Sequence, residues 1–202
     1  RFDGADRQLQ QQRRVVEDAH KACRIAAWTD IAVALGVRGR QTQEWRTLDP
    51  ENTLYMEFPP VDGKGGGRVI IELAPDFAPN HVANVKALSR EGYFASGAVT
   101  RVQDNYVAQW AQAADPERPP KVGVKTLKAE FTRPRDTNVG FDVLPDPDTY
   151  APEVGFSNGF AAGRDANAMW LTHCYGTVGV GRDNDEDSGG GTELYAIIGQ
   201  SP

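Results

Sequence analysis

The chain has 202 residues, of which 40% are hydrophobic, so it can bury one sizeable core and carry a small appendage. Its formal net charge of -6 argues against nucleic acid or an anionic membrane as the main partner, because binding to phosphates requires clustered lysine and arginine side chains. No apolar run approaches the roughly 18 residues that a membrane-spanning helix requires. We therefore expect one main domain with no nucleic-acid partner and no membrane span.

The N-terminal part of the chain has a helical pattern. Residues 5–35 carry apolar side chains at intervals of about three to four residues on a polar background. Gly36 and Gly39 end the pattern, and Thr29 with Asp30 can cap a short second helix after a break near Trp28. We predict an N-terminal helical extension over residues 1–47. It either packs on the domain or binds another protein, and packing is the favoured interpretation.

Two strand-like runs, 53–58 and 68–73, are joined by a glycine-rich connector and predict a β-hairpin. A phosphate-binding loop is disfavoured there, since Lys64 precedes the glycines and a strand follows them. A helix is predicted to begin near Pro79 and to end at Gly92. Proline is favoured in a first turn because the N–H group that it lacks would have no partner within the helix there.

The stretch 99–110 combines one arginine, one glutamine and apolar residues around an Asp104-Asn105 turn. Arg101 and Gln109 lie an even number of positions apart. Residues with that spacing face the same side of a strand, so both polar groups could reach one surface of a hairpin. Taken alone, the pattern fits equally well an amphipathic hairpin with one surface arginine.

From residue 112 to about 168 prolines interrupt every regular pattern, so we predict a long irregular insertion lying over the domain. Short strands are predicted within it near 127–131 and 141–143. Strand-like runs return at 170–175, 177–181 and 193–198.

Metal binding is not favoured. The acidic run 183–189 begins like a calcium loop, but Ser188 and Leu194 replace the glycine and glutamate that such a loop uses, so a solvated turn is the better interpretation. Cys23 and Cys174 have no metal-ligand spacing, and the sequence leaves open whether they pair. We expect no metal and no cofactor.

Four segments, in this order, resemble the blocks of the cyclophilin-type peptidyl-prolyl isomerases: 69–85, 92–94, the stretch 99–110, and 176–182 continued by 188–197. The run 45–55 and the long insertion resemble a divergent bacterial branch that is often exported. The resemblance implies a mainly β domain over residues 48–202, a cyclophilin-like antiparallel β-barrel with a capping helix. Because the chain stops at Pro202, we expect an incomplete barrel, truncated at its C-terminus, in a fragment of a longer polypeptide. A periplasmic or otherwise exported location is expected, with a cytoplasmic one as the alternative.

The resemblance also implies an enzyme that isomerises X-Pro bonds in proline-containing polypeptides during their folding. It places the catalytic arginine and glutamine of the family on Arg101 and Gln109. The implied substrate-binding residues are Tyr106, Val107, Gly181, Arg182 and Tyr195.

The implied chemistry is electrostatic. Rotation about an X-Pro bond is slow because amide resonance imposes a barrier of roughly 18–20 kcal/mol, and the prolyl nitrogen of the twisted transition state has a free lone pair. A fixed donor such as Arg101, aimed at that nitrogen, helps only the transition state. Gln109 would hold the neighbouring substrate carbonyl. Tyr106, Val107 and Tyr195 would form the apolar surface against which the proline ring packs.

The alternative is a non-catalytic module that binds proline-containing segments, or that binds a partner protein through its N-terminal helices. It is motivated by the tyrosines, Trp110 and Arg182, which stand at positions where the family places other residues.

Overall fold

The computed structural model describes residues 46–60, 62, 63, 65–113, 118–146 and 148–199. The predicted N-terminal helices and Cys23 lie outside these residues. The described part of the chain is mostly β structure with a single α-helix, and its sheets are antiparallel. In the same part of the chain, no helix has the length and apolar character needed to cross a bilayer.

The strands of the described chain are β1 (Thr53–Phe58), β2 (Gly67–Glu72), β3 (Gly97–Gln103), β4 (Val107–Gln112), β5 (Arg133–Pro134), β6 (Asp142–Val143), β7 (Glu153–Ser157), β8 (Phe160–Arg164), β9 (Ala168–Leu171), β10 (Val178–Val180) and β11 (Glu193–Ile197). The helix α1 covers Pro79–Arg90. Short 3₁₀ turns lie at Pro50–Asn52, Tyr93–Ser96 and Glu186–Ser188.

These strands form three sheets with the orders β1-β2, β10-β11-β4-β3 and β5-β9-β8-β7-β6. Within the described residues the sheets do not close into a barrel, as expected from the sequence. The two predicted hairpins are confirmed, because β1 pairs with β2 and β3 pairs with β4.

The segment 112–168 is more regular than predicted, which corrects the interpretation as an irregular insertion. It contains β5 to β8, which join β9 in a five-stranded sheet. The β7–β8 hairpin turns at Asn158 and Gly159, whose φ angles of 51° and 85° are those of a tight turn. The strand predicted near 141–143 is confirmed as β6, whereas β5, β7 and β8 were not predicted from the sequence. The strand predicted near 127–131 does not form, because Leu127 and Ala129 instead donate their N–H groups to Gly189 and Asp187.

The main core lies between α1 and the four-stranded sheet. Trp110 on β4 and Leu194 on β11 are register partners and are both buried. They pack with Ile71 of β2 and Val85 of α1. Because side chains alternate along a strand, the neighbours of Trp110 and Leu194 must point to the opposite face of the sheet.

The five-stranded sheet contacts the rest of the domain near the beginning of α1. Ala162 and Met169, from β8 and β9, form a second buried cluster with Ala74 and Phe77. Buried Asn84 makes a further connection: its Nδ2 donates to the carbonyls of Val124 and Gly190, at 2.8 and 2.5 Å. Helix α1 is therefore joined both to the insertion and to the glycine-rich loop before β11.

The helix α1 begins without a side-chain cap of its own, because its N-cap residue is Ala78. Glu130 of the insertion supplies the acceptor, with its carboxylate 3.2 Å from the N atom of Asn80 and 3.0 Å from that of His81. Partial burial raises the pKa of Glu130, but the hydrogen bonds from His81 and Asn80 outweigh it, so the pKa lies below its ordinary value. A negative charge at a helix N-terminus is also favoured by the helix dipole.

Replacing Glu130 by alanine leaves N–H groups at the start of α1 without their acceptor. We expect the free energy of unfolding to fall by about 1–3 kcal/mol near neutral pH. Since the folded-state pKa of Glu130 is depressed, its contribution is complete above the unfolded-state pKa and is lost as the pH falls through the folded-state value. Urea unfolding should therefore show a difference between wild type and Glu130→Ala that shrinks below about pH 4.

Glu57→Ala is the control, since Glu57 forms an exposed ion pair with Arg68. Exposed pairs contribute only about 0–1 kcal/mol. A wild-type minus Glu130→Ala difference of the same size at pH 7 and at low pH would contradict the role given to the Glu130 carboxylate.

Candidate functional site

One row of paired residues crosses the four-stranded sheet. Arg101 of β3 pairs with Gln109 of β4, Gln109 pairs with Tyr195 of β11, and Tyr195 pairs with Gly179 of β10. Residues directly opposite one another in an antiparallel sheet point to the same face. The row therefore places the side chains of three predicted site residues, Arg101, Gln109 and Tyr195, together on the face opposite Trp110.

A bulge at Thr100 adjusts β3 to this arrangement. The register shifts between Val99 and Arg101, so that Val99 pairs with Trp110 while Arg101 pairs with Gln109. One extra residue on one strand changes the face to which the following side chains point. Arg101 thus lies on the site face, whereas Val99, two residues earlier, lies on the same face as Trp110.

The guanidinium of exposed Arg101 is held above the turn that joins β3 and β4. Its Nη2 donates to Oε1 of Gln103 at 2.5 Å, and its Cζ lies 5.9 Å from the ring centroid of Tyr106. An aromatic face attracts a cation at such a distance. A guanidinium has five N–H donors in a fixed fork, so these contacts orient Arg101 while further donors can serve a ligand.

The side chain of Gln109 contacts a residue that sequence reasoning missed. Its Nε2 donates a hydrogen bond to the carboxylate of Glu193, at the beginning of β11. The side chain of Glu193 packs directly against Gly181, since a Cβ atom at Gly181 would be 2.7 Å from Oε1 of Glu193. The sequence does contain a signal for Glu193. It lies two positions before Tyr195, and residues two positions apart in a strand point to the same face.

Tyr195 packs against a glycine and a histidine. Its ring lies across Gly179, where a Cβ atom would collide with the phenol. Its hydroxyl lies 3.4 Å from Nε2 of His173. Partial burial raises the pKa of Tyr195, the nearby Tyr106 raises it further, and Arg182 lowers it. Tyr195 therefore lies within electrostatic reach of two other predicted substrate-binding residues.

The remaining predicted residues lie at different depths. Val107 is on the site face but is only 4% exposed, so it lies beneath the surface, whereas Tyr106 in the turn is 38% exposed. The guanidinium of Arg182 lies 5.3 Å from the ring centroid of Phe131, which belongs to the insertion. The structure thus brings Arg101, Gln109, Tyr106 and Tyr195 to one face.

The acidic run 183–189 binds its own backbone. The Asp183 N–H group donates to Oγ of Ser188 at 2.8 Å, and Oδ1 of Asp185 accepts from the Asp187 N–H group at 3.0 Å. Across the described ranges, no group of three or more His, Cys, Asp or Glu side chains could hold a metal ion.

Residues 61–197 match the family described as cyclophilin type peptidyl-prolyl cis-trans isomerase/CLD. This range includes α1 and the whole row of site residues. The chain belongs to this family.

The chain is also similar to individual members of the family. A probable peptidyl-prolyl cis-trans isomerase of Brucella suis biovar 1 is 40% identical over 85 residues, which are 42% of this chain and 38% of that relative. The corresponding protein of Brucella abortus (strain 2308) is 39% identical over 85 residues, with the same shares. The chain thus matches well under half the length of these curated relatives. The crystal structure of the cyclophilin AquaCyp293 from Hirschia baltica matches with a TM-score of 0.65 and 28% identity, covering 81% of this chain and 66% of that one.

The imidazole of His173 should titrate below its ordinary range. Although the residue as a whole is exposed, partial burial of the ring lowers its pKa. We expect an NMR titration of its ring protons to give a midpoint below about 6.5. Because the folded-state pKa is depressed, protonation of His173 disfavours the folded state, so His173→Gln should reduce the loss of stability as the pH falls through the unfolded-state pKa. A midpoint at or above the ordinary value would contradict this environment.

Proposed function

We propose that this chain accelerates the cis–trans isomerisation of X-Pro bonds in proline-containing stretches of folding proteins. The observation that carries the proposal is the pairing of Arg101 with Gln109, beside Tyr195, on one face of the sheet. The membership of the chain in the cyclophilin-type family supports it.

Catalysis of this reaction requires electrostatic stabilisation of a twisted amide. Rotation breaks no σ bond, and its barrier of roughly 18–20 kcal/mol comes from the loss of amide resonance. When the amide twists, its nitrogen gains a lone pair that a hydrogen-bond donor can bind. Interactions that exist only in the transition state are the ones that raise the rate.

Arg101 is suited to donate to that nitrogen. Its charge is permanent, and its planar fork is oriented by Gln103 and by the ring of Tyr106. Gln109, directly opposite, would donate to the neighbouring substrate carbonyl and so hold one side of the amide while the other side turns. The proline ring would lie against Tyr106 and Tyr195, with Val107 supporting the surface from below.

A second candidate function is a module that binds proline-containing segments without catalysis. The observation that favours it is that both polar groups already have partners within the protein: Arg101 contacts Gln103, and Gln109 contacts Glu193. A substrate would have to compete with these contacts or use the donors that remain. Binding without rate enhancement would favour this second function.

Replacing Arg101 by alanine should lower kcat/KM for a short X-Pro peptide by about 100-fold, because one preorganised donor is lost. The thermal midpoint should change little, since the side chain is exposed. Arg101→Lys should recover only part of the activity, because lysine keeps the charge but lacks the planar fork. A protease-coupled assay or NMR exchange spectroscopy measures the rate.

Arg68→Ala is the matched control. Arg68 is an exposed strand arginine that pairs with Glu57 and lies 5.1 Å from the ring centroid of Tyr55, so its setting resembles that of Arg101 outside the site. It should retain wild-type activity. Unchanged isomerisation in Arg101→Ala would rule out the role of Arg101, and a wild-type chain that binds the peptide without accelerating rotation would rule out the proposed function.

A further inference from the structure

Glu193 places a carboxylate within the candidate site. It begins β11 and shares the site face with Tyr195. Its carboxylate accepts a hydrogen bond from Nε2 of Gln109, a residue 84 positions away in the chain, in a half-buried contact. Strand pairing brings the two residues together, since Tyr195 is the register partner of Gln109.

The two partners have different hydrogen-bonding chemistry. An ionised carboxylate only accepts hydrogen bonds, whereas a primary amide donates through its nitrogen and accepts through its oxygen. Only one of the two amide orientations of Gln109 can therefore bind Glu193. In that orientation Nε2 faces Glu193, Oε1 points away, and the second N–H group of the same nitrogen can serve a substrate carbonyl.

Glu193 is itself held in place by Gly181. The Gly181 N–H group donates to the main-chain carbonyl of Glu193 at 2.8 Å. A Cβ atom at Gly181 would lie 3.0 Å from Cγ and 3.2 Å from Cβ of Glu193, as well as close to its carboxylate. The absence of a side chain at Gly181 thus leaves room for the Glu193 side chain to reach Gln109.

We infer that Glu193 is a positioning residue: its carboxylate holds the Gln109 amide in the orientation that presents an N–H group to the substrate carbonyl. The kinetic consequence rests on the proposed isomerase function, whereas the amide orientation does not. The terminal torsion of a glutamine is broad and roughly two-fold. Without an acceptor at residue 193, Gln109 would occupy both orientations, and part of the population would present its oxygen to the substrate.

The test is a series of variants that differ in hydrogen-bonding chemistry. Glu193→Gln can pair with either orientation of the Gln109 amide and Glu193→Leu with neither, so neither variant selects one orientation, and each should lower kcat/KM by about twofold or somewhat more. Glu193→Lys only donates, so it favours the reversed amide and should lose more than Glu193→Leu. Glu186→Lys, at an exposed carboxylate in the loop before β11, makes the same change of charge and should leave activity unchanged.

Coupling to Gln109 separates positioning from a purely structural role. In a Gln109→Ala background, Glu193→Leu should cause no further loss of kcat/KM, because the amide that it positions is absent. A packing role would instead lower kcat/KM by the same factor in both backgrounds. Additive losses, or full activity in Glu193→Lys, would overturn the inference.

A second measurement does not depend on catalysis. The two protons of the Gln109 side-chain NH₂ group should be further apart in the wild-type spectrum than those of an exposed glutamine, because one of them binds a carboxylate and is shifted downfield. The separation should shrink toward that of an exposed glutamine in Glu193→Leu and keep its wild-type size in Glu186→Lys. If the wild-type chain is not an isomerase, the proposed function fails while this spectrum still decides the orientation. Identical Gln109 resonances in wild type and Glu193→Leu would overturn the inference.

Discussion

The burial of Trp110 against Leu194 is the constraint on which the candidate site depends. Both side chains lie in the core with Val85 of α1, and they fix which face of β4 and β11 points inward. A slip of β4 by one residue would expose Trp110 and bury Gln109, at a cost of about 3–5 kcal/mol for the lost tryptophan packing alone. The residues on either side of Trp110 and Leu194 must then face outward, and these residues include Gln109 and Tyr195. Trp110, which motivated the non-catalytic alternative, is therefore a core residue and lies on the face opposite the site.

The insertion supports this sheet from outside. Glu130 caps α1, Asn84 bonds both Val124 and Gly190, and Asp187 accepts from the N–H group of Ala129. The glycine-rich loop before β11 is thus held between α1 and the insertion, and Glu193 and Tyr195 follow directly from it. The contact of Arg182 with Phe131 extends the same support to the edge of the site.

The parts of this arrangement that are local in the chain could be predicted from the sequence. The sequence of the β1–β2 and β3–β4 hairpins shows strand-like runs separated by turn residues. Arg101 and Gln109 become neighbours as soon as the short turn between β3 and β4 forms. The bulge at Thr100 has no comparable sequence signal. In the five-stranded sheet the sequence pattern predicts β6 and the end of β9 but not β5, β7 or β8, because these strands are short and, at β5 and β7, lie next to prolines or contain them. Contacts over long separations, such as Gln109 with Glu193 and Asn80 with Glu130, depend on tertiary packing that no local pattern shows.

The central claim is that a proline-containing ligand lies on the Gln109 face of the four-stranded sheet. It can be tested most directly by NMR titration of the labelled chain with a short X-Pro peptide. The account predicts that the side-chain resonances of Arg101, Gln109 and Tyr195 shift together with one dissociation constant, while the indole resonance of buried Trp110 stays in place. A saturating shift of the Trp110 indole, with the side chains of Arg101 and Gln109 unaffected, would contradict it.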